Sequence, residues 1–165
     1  MATRRDAGAE LDYAAELINE ITAGIEGVRT GIHVCRGNWS RSEDVLLEGD
    51  YTKLLPAFTR MNVDQYVLEY ATPRAGEISI VGEALGKKEI GLGVVNPRTD
   101  TVETVEAIVA SAETAMEWFT PERIFLNPDC GFGCFANRCV NDEQTAMEKL
   151  SSISMAADIL RTRHC

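Results

Sequence analysis

The sequence predicts an α/β fold built from parallel βαβ units, and three observations carry that prediction. Four short apolar runs read as strands, and stretches with apolar residues at helical spacing lie between them. Buried strands that alternate with amphipathic helices form parallel sheets, because each helix carries the chain back to start the next strand in the same direction. The third observation is length. A chain of 165 residues holds about four such units, whereas a closed (β/α)₈ barrel takes about 250 residues. The chain therefore reads as one domain, 1–165, that looks like half of something larger.

The first element is a helix: from Ala7 to Glu26, Leu11, Ala14, Ala15, Ile18, Ile21 and Ile25 recur at helical spacing, and Gly27 ends it. "TGIHVC" follows as the first strand. Ser40 and Ser42 in "NWSRSED" are expected helix caps ahead of Val45, Leu46 and Leu47. "YTKLLPAFTRM" predicts a further helix, interrupted at Pro56. "QYVLEY" at 65–70 is the second strand, "EIGLGVV" at 89–95 the third and "RIFLN" at 123–127 the fourth. Between the last two, Val105, Ile108, Val109, Ala112, Met116 and Phe119 mark the buried face of a helix whose other face carries Glu103, Glu106, Glu113 and Glu117. Met147, Leu150, Ile153, Ala157 and Leu160 mark the buried face of the last helix. Trp39, Trp118 and Phe119 are assigned to packing.

With 45% hydrophobic and 25% charged residues the composition is that of an ordinary globular protein. A formal charge of −10 lacks the basic footprint that nucleic acid or an anionic membrane demands, so neither is expected as a partner. No apolar run approaches the roughly 18 residues that span a bilayer, and "MATRRDAGAELD" lacks an apolar signal core, so a cytoplasmic location is expected. Five cysteines, an odd number, favour thiols or metal ligands over a disulfide framework.

Side chains alternate along a strand, so His33 and Cys35 in "GIHVC" share a face at its carboxyl end. In parallel α/β folds ligands and catalytic groups collect at that end, where the βα loops open. Glu69 holds the corresponding place in "YVLEY", and Cys130 follows the fourth strand in "LNPDCG". One imidazole, two thiolates and one carboxylate suit zinc, and the thiolates argue against magnesium or calcium. On the residues alone other readings stay open: a packed core pair for H-x-C, a plain turn for "PDCG", and a cluster through Cys130, Cys134 and Cys139, whose spacing matches neither ferredoxin nor zinc-module patterns. Cys165 reads as a terminal surface thiol.

"GIHVCRGN", "VLEYATPRAGE", "GLGVVNPRTDTVETVEAI" and "RIFLNPDCGFG", in this order and spacing, resemble the second half of the catalytic domain of cobalamin-independent methionine synthase and its shorter relatives. The resemblance runs from Thr30 to the last helix. It implies a (β/α)₈ TIM-type barrel shared with uroporphyrinogen decarboxylase, of which this chain carries the C-terminal half. It also implies a catalytic zinc held by His33, Cys35, Glu69 and Cys130. The implied reaction is S-methyl transfer: zinc activates a homocysteine-like thiol as thiolate, methyltetrahydrofolate or another carrier donates the methyl group, and methionine is the product.

Two departures from the family qualify what it implies. The family's D-x-H-S histidine is missing from "VVNPRTD", where Asn96 stands, and the chain's other histidine is His164. That places the sequence nearer the short relatives, one group of which uses coenzyme M as its thiol. The four upstream strands are missing as well, and open sheet edges demand cover. Either a homodimer or a complementing N-terminal half-barrel chain is the expected partner, and a non-catalytic half-barrel is the alternative to an enzyme. Arg36, Asn38 and Arg74, just past the strand ends, are candidate contacts for a substrate carboxylate or phosphate, or solvated loop residues. Asp129 is either a support for a ligand or a turn residue.

Overall fold

The computed structural model describes residues 6–37, 40–135 and 138–164, and the side chains of Glu43, Cys134 and Arg138 lie outside that description. Asn38, Trp39 and Cys165, named above, therefore fall outside it too. Strands β1 (Gly31–Val34), β2 (Gln65–Leu68), β3 (Glu89–Val95) and β4 (Ile124–Pro128) form one sheet in sequence order. Every pairing is parallel, with His33 opposite Val67, Val67 opposite Gly91 and Gly91 opposite Phe125.

The register sorts the side chains onto two unlike faces. Tyr66, Leu68, Ile90 and Leu92 point to one and are at most 3% exposed. Helices α3 (Ile78–Leu85), α4 (Val105–Ala115) and α5 (Glu143–His164) add Val81, Leu85, Ile108, Ala112, Ile153 and Leu160 to the same core. Helices α1 (Ala7–Thr22) and α2 (Leu55–Phe58) extend it with Ala15, Ala57 and Phe58. The second face carries His33, Val67, Gly91 and Phe125, of which His33 and Phe125 are exposed. An antiparallel hairpin, β5 (Gly133–Phe135) with β6 (Arg138–Cys139), follows β4. No helix among the described residues is long and apolar enough to cross a membrane.

Several elements differ from the sequence reading. Pro56 does not interrupt a helix; it lies in the first turn of α2, where its missing N–H has no helical partner to lose. Ser40 and Ser42 cap no α-helix. The Ser40 hydroxyl accepts from the Ser42 amide, and only a 3₁₀ turn at Glu43–Val45 follows. Leu46 is buried there, but Val45 and Leu47 are exposed, so no continuous apolar face exists to dock a longer helix. α1 stops at Thr22, leaving Ile21 and Ile25 exposed.

α5 is turned relative to its expected face. Lys149, Ile153, Ala156 and Leu160 point inward, while Met147 and Leu150 are exposed. α3 occupies a stretch assigned no element, because Gly76, Gly82 and Gly86 hide its periodicity. Gly82 is required for packing: a Cβ there would lie 2.4 Å from the Cβ of Trp118.

Candidate metal centre

β1 and β2 end side by side, which places His33 on β1, with Cys35 just past it, next to Glu69 just past β2. Cys130 arrives from the turn after β4. Ligand-capable atoms of His33, Cys35, Glu69 and Cys130 all lie within 4.8 Å of one another. The four residues named from sequence are thus brought together. Cys139 sits apart on the hairpin as an exposed thiol, and His164 bonds Glu113 at 3.3 Å on the far helices.

The donor set fits zinc in three respects. The Sγ atoms of Cys35 and Cys130 are 3.7 Å apart. Two thiolates at Zn–S distances of about 2.3 Å and a tetrahedral angle are about 3.8 Å apart, whereas an uncompensated pair of thiolates would repel. His33 Nδ1 lies 3.1 Å from the Val67 carbonyl oxygen. A carbonyl can only accept, so the proton sits on Nδ1 and Nε2 keeps a lone pair, the arrangement typical of metal-ligating histidine. Glu69 is 2% exposed, yet its Oε2 has no hydrogen-bond donor, a cost that a cation would remove.

The surroundings hold Glu69 in place. Its Oε1 accepts the Arg36 amide at 3.0 Å. Its backbone is pinned on both sides by Tyr51, whose hydroxyl accepts from Glu69 N at 2.9 Å and donates to Glu69 O at 3.3 Å. The Arg36 guanidinium stacks over the Tyr51 ring at 4.7 Å and donates to the Arg74 carbonyl, so Arg36 braces the site from inside the fold. Burial pushes the Cys35 thiol up; the Gly37 amide at 3.3 Å opposes the rise, and Cys130 adds to it.

Arg98 is the group that the sequence reading missed. It is 2% exposed, with Nη1 3.7 Å from Glu69 Oε2 and Nη2 3.5 Å from Asp129 Oδ2. Asp129 also accepts the Ala71 amide at 2.9 Å. Burial pushes the Asp129 carboxyl up to about 7, against the Ala71 amide and Arg98 and reinforced by Glu69. Gly93 makes the arrangement possible, because a Cβ there would stand 2.2 Å from Asp129 Oδ1. The signal in sequence was an arginine three residues past the apolar "GLGVV" run of β3, where the carboxylates Glu69 and Asp129, past the ends of the two flanking strands β2 and β4, need a counter-charge.

The sequence pattern of the family described as "Cobalamin-independent synthase, Catalytic domain" matches residues 3–158. A methionine synthase of Pyrococcus horikoshii is 31% identical over 152 residues, covering 92% of this chain and 39% of the relative. That of Pyrococcus abyssi is 32% identical over the same shares. The chain thus spans about two fifths of the length of these relatives. Among solved structures, a B12-independent methionine synthase from a Shewanella species, in complex with selenomethionine, aligns with a TM-score of 0.78 at 20% identity, over 92% of this chain and 44% of that one. A putative vitamin-B12 independent methionine synthase from Listeria monocytogenes aligns at 0.65 and 21%, over 98% and 43%. At these identities the structures speak for the fold.

Proposed function

The chain belongs to the family of the cobalamin-independent synthase catalytic domain, and from that premise we propose that it is the zinc-bearing, C-terminal half of a (β/α)₈ thiol methyltransferase. The observation that carries this reading is the convergence of His33, Cys35, Glu69 and Cys130 at three strand ends. Support for the half-barrel comes from the sheet itself. Both β1 and β4 are open edges, and the face bearing His33 and Phe125 is covered by no helix among the described residues. Tyr13, Leu17 and Ile21, at i, i+4 and i+8 of α1, are exposed along one stripe, as an unpartnered flank would be.

The acceptor is a homocysteine-like thiol and the donor a methylated folate or similar carrier. Zinc bound by these four residues supplies one thing, a lowered pKa that keeps an incoming thiol as thiolate at neutral pH. The chain's own residues do the rest. Val67 and the Gly37 amide aim His33 and Cys35, Tyr51 fixes the backbone under Glu69, and the closed core below the sheet keeps the strand ends in register. As the substrate sulfur attacks the methyl carbon, the S–C bond forms, the bond from methyl to carrier nitrogen breaks, and that nitrogen takes up a proton. The family's D-x-H-S histidine is absent from Asn96–Asp100, so the proton comes from a group outside this loop or from water.

The test is co-expression with the first half of the catalytic domain of the Pyrococcus horikoshii relative, followed by assay of homocysteine S-methylation. Zinc-dependent methylation that neither half shows alone is the expected result. Stable pairing and zinc uptake with no methylation of homocysteine or coenzyme M would instead favour the non-catalytic half-barrel.

A further inference from the structure

Resting on the metal-centre reading above, we propose that Arg98 is a positioning residue that receives the Glu69 carboxylate when an incoming thiol takes its place on the metal. Four protein ligands fill a tetrahedral site, so a substrate sulfur can bind only if one of them leaves or the coordination expands. Glu69 is built to leave. Half of its carboxylate is already satisfied by the Arg36 amide through Oε1, and the other half, Oε2, faces Arg98 Nη1 at 3.7 Å.

That separation is beyond hydrogen-bond reach, yet short enough for a small side-chain rotation to close it. The rotation needs no backbone movement, because Tyr51 holds both the amide and the carbonyl of Glu69. At 2% exposure a carboxylate released from a cation without a second cation to meet it would be severely penalised. Arg98 is that second cation, and Asp129 holds it in place through Nη2. Asp129 is itself fixed by the Ala71 amide and by the space that Gly93 leaves. The guanidinium and the metal thus compete for one carboxylate.

The competition predicts effects of opposite sign, which loss of structure alone would not produce. Zinc affinity of the full 165-residue chain is measured by competition with a chromophoric chelator. Thiol binding is followed by the sulfur-to-metal charge-transfer band of the cobalt(II)-loaded chain as L-homocysteine is added. In Arg98→Met zinc affinity is expected to rise about tenfold while homocysteine affinity falls about tenfold, the scale of one partly buried charge contact. Arg98→Lys is expected to move both back toward wild type. Asp129→Asn frees Arg98 for Glu69 and shifts both in the other direction, so the test survives if Arg98→Met does not fold. Both constants falling together, or neither changing, overturns the proposal while leaving the metal centre standing. A wild-type chain that takes up no zinc overturns the reading beneath it and the proposal with it.

Discussion

Replacing Cys130 by serine is expected to cost at least about 100-fold in zinc affinity, read by chelator competition. The magnitude follows from the ligand count: structural zinc sites bind with about 10–16 kcal/mol in total, so one thiolate of four carries about 3 kcal/mol or more. Serine keeps the shape of the turn after β4 but stays protonated at neutral pH and is a poor zinc donor. Its effect on folding is expected to be small, because Cys130 is only half-buried and its contact with Cys35 at 3.7 Å is a weak sulfur pair. A large loss of metal affinity with a small loss of stability identifies a ligand. The reverse pattern, unchanged zinc affinity and a destabilised fold, would make Cys130 a packing residue.

Lys149→Met is expected to give the largest stability loss, about 3 kcal/mol by denaturant unfolding, because it removes the fully buried partner of an ion pair whose other member, Glu103, is 20% exposed. Lys149 is fully buried on α5. Its ammonium donates to the Asn96 carbonyl at 3.1 Å, to the Thr101 carbonyl and to Glu103 Oε2 at 2.9 Å. Glu103 Oε1 in turn accepts the Asn96 amide at 2.8 Å. Methionine fills the volume and leaves Glu103 and two carbonyls without the donor. Asn96 to Glu103 is the loop that carries Arg98, so the same substitution is expected to perturb metal affinity from a residue that touches no ligand. A loss under 1 kcal/mol would show that the Asn141 contacts, to Thr99 O at 2.9 Å and Asp100 Oδ1 at 3.2 Å, hold the loop without it.

The strands were legible because "QYVL", "EIGLGVV" and "IFLNP" are short, largely apolar runs, a pattern that reads as parallel strands even where the finished sheet leaves a side chain such as Phe125 exposed. His33, Cys35 and Glu69 were legible for a related reason, since strand alternation and strand ends locate side chains without any tertiary information. Cys130 was placed by the "PDCG" turn that follows the fourth strand, and the family resemblance then implied all four residues as one ligand set. What sequence patterning concealed were the charged residues that work indoors. Arg98 and Lys149 look like solvated loop and helix positions until the partners brought to them by distant segments are known: Glu69 and Asp129 for one, Asn96, Thr101 and Glu103 for the other. The turned face of α5 has the same cause, because apolar periodicity counts Met147 and Leu150 and passes over the buried lysine between them.

The central claim, that the four converging side chains form one zinc site, is tested most directly by elemental analysis of the purified wild-type chain beside Cys35→Ser. One equivalent of zinc per chain in the wild type, lost in the variant, is the predicted result. Wild-type protein that is folded, was prepared with zinc present and without chelator, and contains none would contradict it, as would a Cys35→Ser chain that keeps its full equivalent.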